Sequence, residues 1–309
     1  MIQLLQLEFV QNALIAGTIV AILSAIVGYF VVLRAQAFAT EALSDIGFAG
    51  ATGAVLVGGS ALLGTFVFTL LAAYGIGVLG ERVRGRDLEI GMVLAFALGL
   101  GVLFLNLYTQ FATETVNILF GSLLSVSHDN VVIIAWVSLA ILLIVAFLFR
   151  PLLFASIDPE MAEARGVPVR LLSIAFMLVL AITVSEAVQI VGVLLVFALI
   201  VAPAASAERL TNRPLTTIVL SIVLGLIFTW GGLLLAFVGH WPVSFYISGL
   251  AALSYFVSLV IHRVRVPKRY KEPQQPCMGC PGSTNQGYIN LPVLATGAYN
   301  EHEHDPIEL

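Results

Sequence analysis

Long uncharged apolar runs, separated by short polar connections, set the pattern of this chain. They extend over Phe9 to Leu33, Ile46 to Gly80, Ile90 to Thr113, Val131 to Phe149, Ala187 to Ala207, Pro214 to Gly239 and Trp241 to Ile261. A helix needs roughly 20 apolar residues to cross a bilayer, and the longest run is long enough for more than one crossing. Backbone groups in hydrocarbon must be satisfied within their own segment, and these runs are far longer than the strands of an outer-membrane barrel, so they predict helices. The reading is an all-α, polytopic membrane helical bundle of eight or nine transmembrane helices. Its spans fall near 9–33, 37–57, 61–79, 90–107, 131–149, 170–186, 188–207, 215–238 and 244–262.

Composition agrees. Of 309 residues, 60% are hydrophobic and 10% charged, which excludes a soluble globular class. Residues 1–266 form one membrane domain and 267–309 a polar, flexible tail, with no room for a second soluble domain. The first run is preceded by Glu8 and no basic residue, so a helix that is kept is expected instead of a cleaved signal.

All fourteen Lys and Arg lie between or after the apolar runs. They group as Arg34; Arg82, Arg84 and Arg86; Arg150, Arg165 and Arg170; Arg209 and Arg213; and Arg263 to Lys271. Basic residues favour cytoplasmic connections, so these segments are assigned inside. The basic-free connections around 58–60, 108–130, Glu186 and 238–243 then fall outside. An outer N-terminus rests on Arg34 alone, and a broken or re-entrant second segment with eight spans is the rival.

Against this background Glu41 and Asp45 stand out. An ionisable group at membrane depth is costly and marks function by default. Counted from Arg34 at about 1.5 Å per residue, the two acids reach about 10 to 17 Å into the bilayer. Their i, i+4 spacing places them on one helical face, followed by Phe48 and Thr52. No Lys or Arg occurs within the span, so the pair is expected to hold protons or recruit a cation. Two blander readings stay open: Thr40, Ser44 or Asp45 as the N-cap of a helix that starts late, or neutral carboxyls that serve packing.

Between the fifth and sixth spans, Asp158 suits an N-cap, Pro159 the first helical position and Glu160 the positive end of the dipole, while Gly166 and Pro168 end the segment. This predicts a short interfacial helix able to meet a soluble partner, or one with no partner at all. Weaker metal candidates are Glu186, read as a solvated residue of an outer turn, His128 and Asp129 in an outer connection, and Cys277, Cys280, His302 and His304 in the tail. The 21 residues between Cys280 and His302 exceed the usual zinc-finger spacing.

Six stretches in order carry a resemblance. They are Gly28-Tyr29-Phe30-Val31-Val32-Leu33-Arg34; Glu41-Ala42-Leu43-Ser44-Asp45; Leu88-Glu89-Ile90-Gly91; Leu119 to Leu124; Asp158 to Val167; and Val191 to Ala207. With these the chain resembles the membrane permease subunit of the bacterial ABC transporters that import zinc, manganese or iron. The resemblance implies a multi-pass protein of the bacterial cytoplasmic (inner) membrane, paired with a second permease subunit as a homodimer. It implies an extracytoplasmic solute-binding protein, a cytoplasmic ATP-binding subunit and a transported divalent ion, Mn, Zn or Fe, with no permanently bound cofactor. It makes Asp158, Pro159, Glu160, Ala162, Arg165 and Gly166 a cytoplasmic coupling helix for the ATPase. The chain itself has no Gly-Lys dipeptide, hence no P-loop, and is read as a transport subunit and not an enzyme. No feature points to nucleic acid.

One departure matters. Similar permeases carry an Asp followed four residues later by a His, as in D-A-L-S-H, where this chain has Glu41 and Asp45. The exchange makes the site harder and more anionic, suited to Mn or Fe(II), with Zn still possible. Two alternatives remain at this stage: a paralogue working in a heterodimer whose partner carries the His, and a proton-coupled secondary transporter using the same acids.

Overall fold

The computed structural model describes residues 8–79, 86–107, 121, 128–211, 213–239 and 243–265, all within the compact unit Met1–Pro267. The regular elements among them are helices: α1 (Glu8–Leu33), α2 (Ala37–Leu56), α3 (Ala61–Leu79), α4 (Arg86–Leu107), α5 (His128–Ile157), α6 (Pro159–Ala164), α7 (Val169–Val191), α8 (Val193–Leu210), α9 (Pro214–Val238) and α10 (Val243–Arg265). Eight of these are long and apolar enough to cross a membrane. The protein is a polytopic helical membrane bundle.

The membrane-length helix missing from those eight is α2, whose acids and glycines lower its hydropathy. It is also deeply enclosed, buried without interruption from Ala42 to Thr52 and packed on α3, α4, α7 and α8. Its small residues make that possible. A Cβ on Gly50 would lie 2.5 Å from the Gly64 carbonyl oxygen, and one on Gly64 would lie 2.2 Å from that of Gly50, so α2 and α3 cross backbone to backbone. A polar helix is tolerated in a bilayer when other helices separate it from lipid. That role falls in part to α3 and α4, which expose Leu63 and Phe96; α5, α9 and α10 likewise expose Trp136, Val219 and Leu253.

The second central helix, α1, packs on α5, α7, α8 and α9. Gly28 seats against α8, where a Cβ would meet the Ile200 carbonyl oxygen at 2.0 Å. Beside it Phe30 makes edge-on contacts with Tyr29, Phe149 and Phe176, at centroid distances of 5.2, 5.5 and 6.2 Å.

A three-residue elbow joins α1 to α2. Ala35 adopts φ 52, and the Gln36 amide returns to the Val31 carbonyl at 2.8 Å. Arg34 is anchored, its Nε donating to Ser156 Oγ at 2.9 Å and its guanidinium lying 5.3 Å from the Phe176 ring centroid. The end of α1 therefore meets the end of α5. At the same end, one cavity joins Ala35 to Arg209 and His262, near the ends of α8 and α10. The described basic groups thus gather at one end of the bundle, as the charge pattern predicts; Arg82 and Arg84 lie outside the described residues, as does the side chain of Arg86.

Three boundaries differ from the sequence reading. First, α2 starts at Ala37 with Gln36 as its N-cap, so Thr40, Ser44 and Asp45 lie inside the helix and the late-start reading falls. Glu41 and Asp45 consequently sit about 6 and 12 Å along α2, nearer its start than a count from Arg34 gives. Second, α5 does not stop at Phe149 but runs through Pro151 to Ile157, because Leu152 and Ala155 continue the buried face beyond the proline. Third, no turn occurs at Glu186. It is a buried interior residue of α7, and the break comes at Gly192, with φ 86.

Candidate functional site

Asp45 is 7% exposed, and Glu41 is half-buried with Oε2 enclosed and without a hydrogen-bond partner. Residues 37–56 contain no Lys or Arg. A buried carboxylate oxygen that nothing satisfies costs free energy unless a proton or a cation reaches it. Farther along the same face, Phe48 rests against Gly101, where a Cβ would lie 2.6 Å from the ring. Thr52 turns its hydroxyl back to the Phe48 carbonyl at 2.9 Å, so the polar stripe ends at Asp45.

Ser44, between the two acids, donates its hydroxyl to the Val193 carbonyl at 3.2 Å. That oxygen belongs to the first residue of α8, directly after the Gly192 break that separates α7 from α8, so α2 meets this junction through the residue between its two acids. Gly121 closes the break from a third direction. It has φ 78, and a Cβ there would stand 2.4 Å from Val191 C and 2.6 Å from Gly192 N. On either side of the break Val191 and Val193 are both buried, so protein encloses this non-helical backbone. Sequence reasoning missed Gly192. An isolated glycine flanked by valines inside an apolar run was its only signal.

Among the described residues no group of three or more His, Cys, Asp or Glu converges to hold a metal. Among these, helix α2 offers a face of two carboxylates, Glu41 and Asp45. Oxygen donors of this kind suit Mg, Ca or Mn over metals that demand thiolate.

Glu186 does not join the pair. Its Oε2 accepts from Ser138 Oγ of α5 at 3.0 Å, Oε1 is buried without a hydrogen-bond partner, and the adjacent Ser185 meets Thr69 of α3 at 2.7 Å. His128 and Asp129 open α5, but their side chains lie outside the described residues, as do Cys277, Cys280, His302 and His304 entirely.

The short helix forms as its residues dictate. Asp158 caps α6 by accepting from the Met161 amide at 2.9 Å, Pro159 opens it, Ala162 anchors it fully buried, and Gly166 leaves it at φ 82. Arg165 lies over the Phe154 ring at 5.7 Å and ties the helix to α5. Glu160, Met161, Glu163 and Arg165 remain exposed as a compact surface beyond the end of α5.

Comparison with known proteins identifies relatives. The sequence profile of the ABC 3 transport family matches residues 6–262. The manganese transport system membrane protein MntC of Halalkalibacterium halodurans is 32% identical over 75% of this chain and 80% of its own. The manganese import system permease protein ScaB of Streptococcus parasanguinis is 30% identical over 86% and 94%. Among solved structures, PsaBC from Streptococcus pneumoniae in complex with Fab superposes with a TM-score of 0.74 at 30% identity, covering 83% of this chain and 92% of that one.

Proposed function

The chain belongs to the ABC 3 transport family, and from that membership we propose that it is the permease subunit of an ABC importer for a divalent transition metal, manganese or iron before zinc. Relatives named for manganese transport support the choice, as does one in Haemophilus influenzae named a probable iron transport system membrane protein. A separate ATP-binding subunit docks on α6 and supplies the energy that a chain without a P-loop cannot. An extracytoplasmic binding protein delivers the ion to the end opposite the basic residues, and two permease subunits assemble side by side.

The observation that carries this reading is the acid pair on the enclosed helix α2, with one carboxylate oxygen unsatisfied and Ser44 between the acids bonded to the start of α8. The ion enters from the non-basic end, exchanges part of its hydration shell for Glu41 and Asp45, and leaves toward the basic end when α6 transmits the ATPase stroke. Two carboxylates suffice to stabilise a dehydrating hard cation and are few enough to let it go. Radioactive Mn2+ uptake by reconstituted transporter tests the assignment. The Glu41→Gln/Asp45→Asn pair of substitutions abolishes uptake while the ATPase still co-purifies; retained uptake overturns it.

A further inference from the structure

A cavity of about 450 Å³ opens at the basic end of the bundle, lined by Ala37 of α2, Val201, Ala205 and Glu208 of α8, and Tyr255 and His262 of α10. Ala37 precedes Glu41 by one turn on the same helical face, so the cavity lies on the side of α2 that carries the acids. Its walls near α2 are alanine and valine, which offer a cation no hold. The donors, Glu208 and His262, come from α8 and α10.

Both have the chemistry of a metal site. His262 Nδ1 lies 3.0 Å from the Arg209 carbonyl oxygen. A carbonyl can only accept, so Nδ1 carries a proton, and in the neutral ring Nε2 keeps its lone pair. Orientation of one ring nitrogen by a backbone carbonyl is the arrangement that metal-binding imidazoles use. Glu208 adds an exposed carboxylate in the same cavity. Arg209 lines the same cavity and tempers that negative charge; its guanidinium is held against the Tyr255 wall, donating to Tyr255 Oη at 2.8 Å and lying 4.9 Å from that ring's centroid.

We propose that Glu208 and His262 form an inner cation site, which takes a hydrated divalent transition metal through one carboxylate and the Nε2 of one imidazole. Two protein donors with water completing the shell give a weak, readily exchanging site, as a station between the acid pair and the cytoplasm requires. Its place on the exit route rests on the proposed function; its existence does not.

Mn2+ is the probe, and electron paramagnetic resonance the readout, on the full chain purified with its ATPase. In the Glu41→Gln/Asp45→Asn background the protein still binds Mn2+, and the bound ion shows hyperfine coupling to an imidazole nitrogen. His262→Ala removes that coupling and weakens binding by about tenfold or more, and Glu208→Gln weakens it similarly while the nitrogen coupling persists. Both residues are exposed, so the variants fold. The proposal is overturned if the background protein binds no Mn2+, or if nitrogen coupling survives His262→Ala, which would place the ion on another histidine. The two readings fail separately. Uptake retained without the acid pair sinks the pathway but leaves this site standing, whereas an unaltered Mn2+ spectrum in His262→Ala sinks this site alone.

Discussion

At Asp45 this chain parts from the pattern it otherwise resembles, and the difference has a measurable consequence. Carboxylates suit hard cations that keep part of their water, while imidazole favours zinc. Asp45→His is therefore expected to lower Mn2+ uptake relative to Zn2+ by about tenfold in a competition assay, without loss of protein from the membrane. Position 64 makes a different argument. A methyl at Gly64 would press on the Gly50 carbonyl at 2.2 Å, backbone that cannot yield, whereas Gly99 has open space around it. Gly64→Ala should cost about 1–3 kcal/mol, seen as a lower unfolding temperature in detergent, while Gly99→Ala holds or gains. The acid pair was legible because charge is conspicuous in an apolar run. The depth of Glu186 was not, since a single acid reads alike in a turn or against a partner such as Ser138.

Among elements, the link between α2 and α6 is the one the transport cycle needs. Arg34 holds the elbow that starts α2, and its partner Ser156 stands two residues before the Asp158 cap of α6. If motion at α6 reaches the acid pair through this contact, Arg34→Met and Ser156→Ala each reduce Mn2+ uptake several-fold while ATP hydrolysis by the assembled transporter continues. The double substitution should be no worse than the more severe single one, as for two halves of one contact. Asp158→Ala removes the cap, costs α6 about 1 kcal/mol, and should weaken co-purification of the ATPase. The short helix was readable because cap, proline and glycine are local signals. The true end of α5 and the break at Gly192 were not, because both depend on which buried faces continue.

On the scale of the whole molecule, a polar helix is held at the centre of an apolar bundle and the basic groups collect at one end. This division explains how α2 persists in a membrane although its composition fails the hydropathy of a span. It also supplies two terminals for a path, one basic and assigned to the cytoplasm, the other beside Gly58 and the α2–α3 turn. A single chain offers two carboxylates at the pair, and native mass spectrometry of the purified transporter should find two permease subunits with two ATP-binding subunits.

The residue pattern alone determined that the chain spans a membrane as helices, which ends carry positive charge, and where two acids lie four residues apart. Bilayer thickness and the cost of unpaired backbone in lipid leave few other outcomes for such runs. Only the tertiary structure decided which helix is central, that Ser44 faces the Gly192 break, and that Glu208 and His262 share a cavity. These are meetings of residues far apart along the chain, set by close packing between helices, and no local property of either partner encodes them.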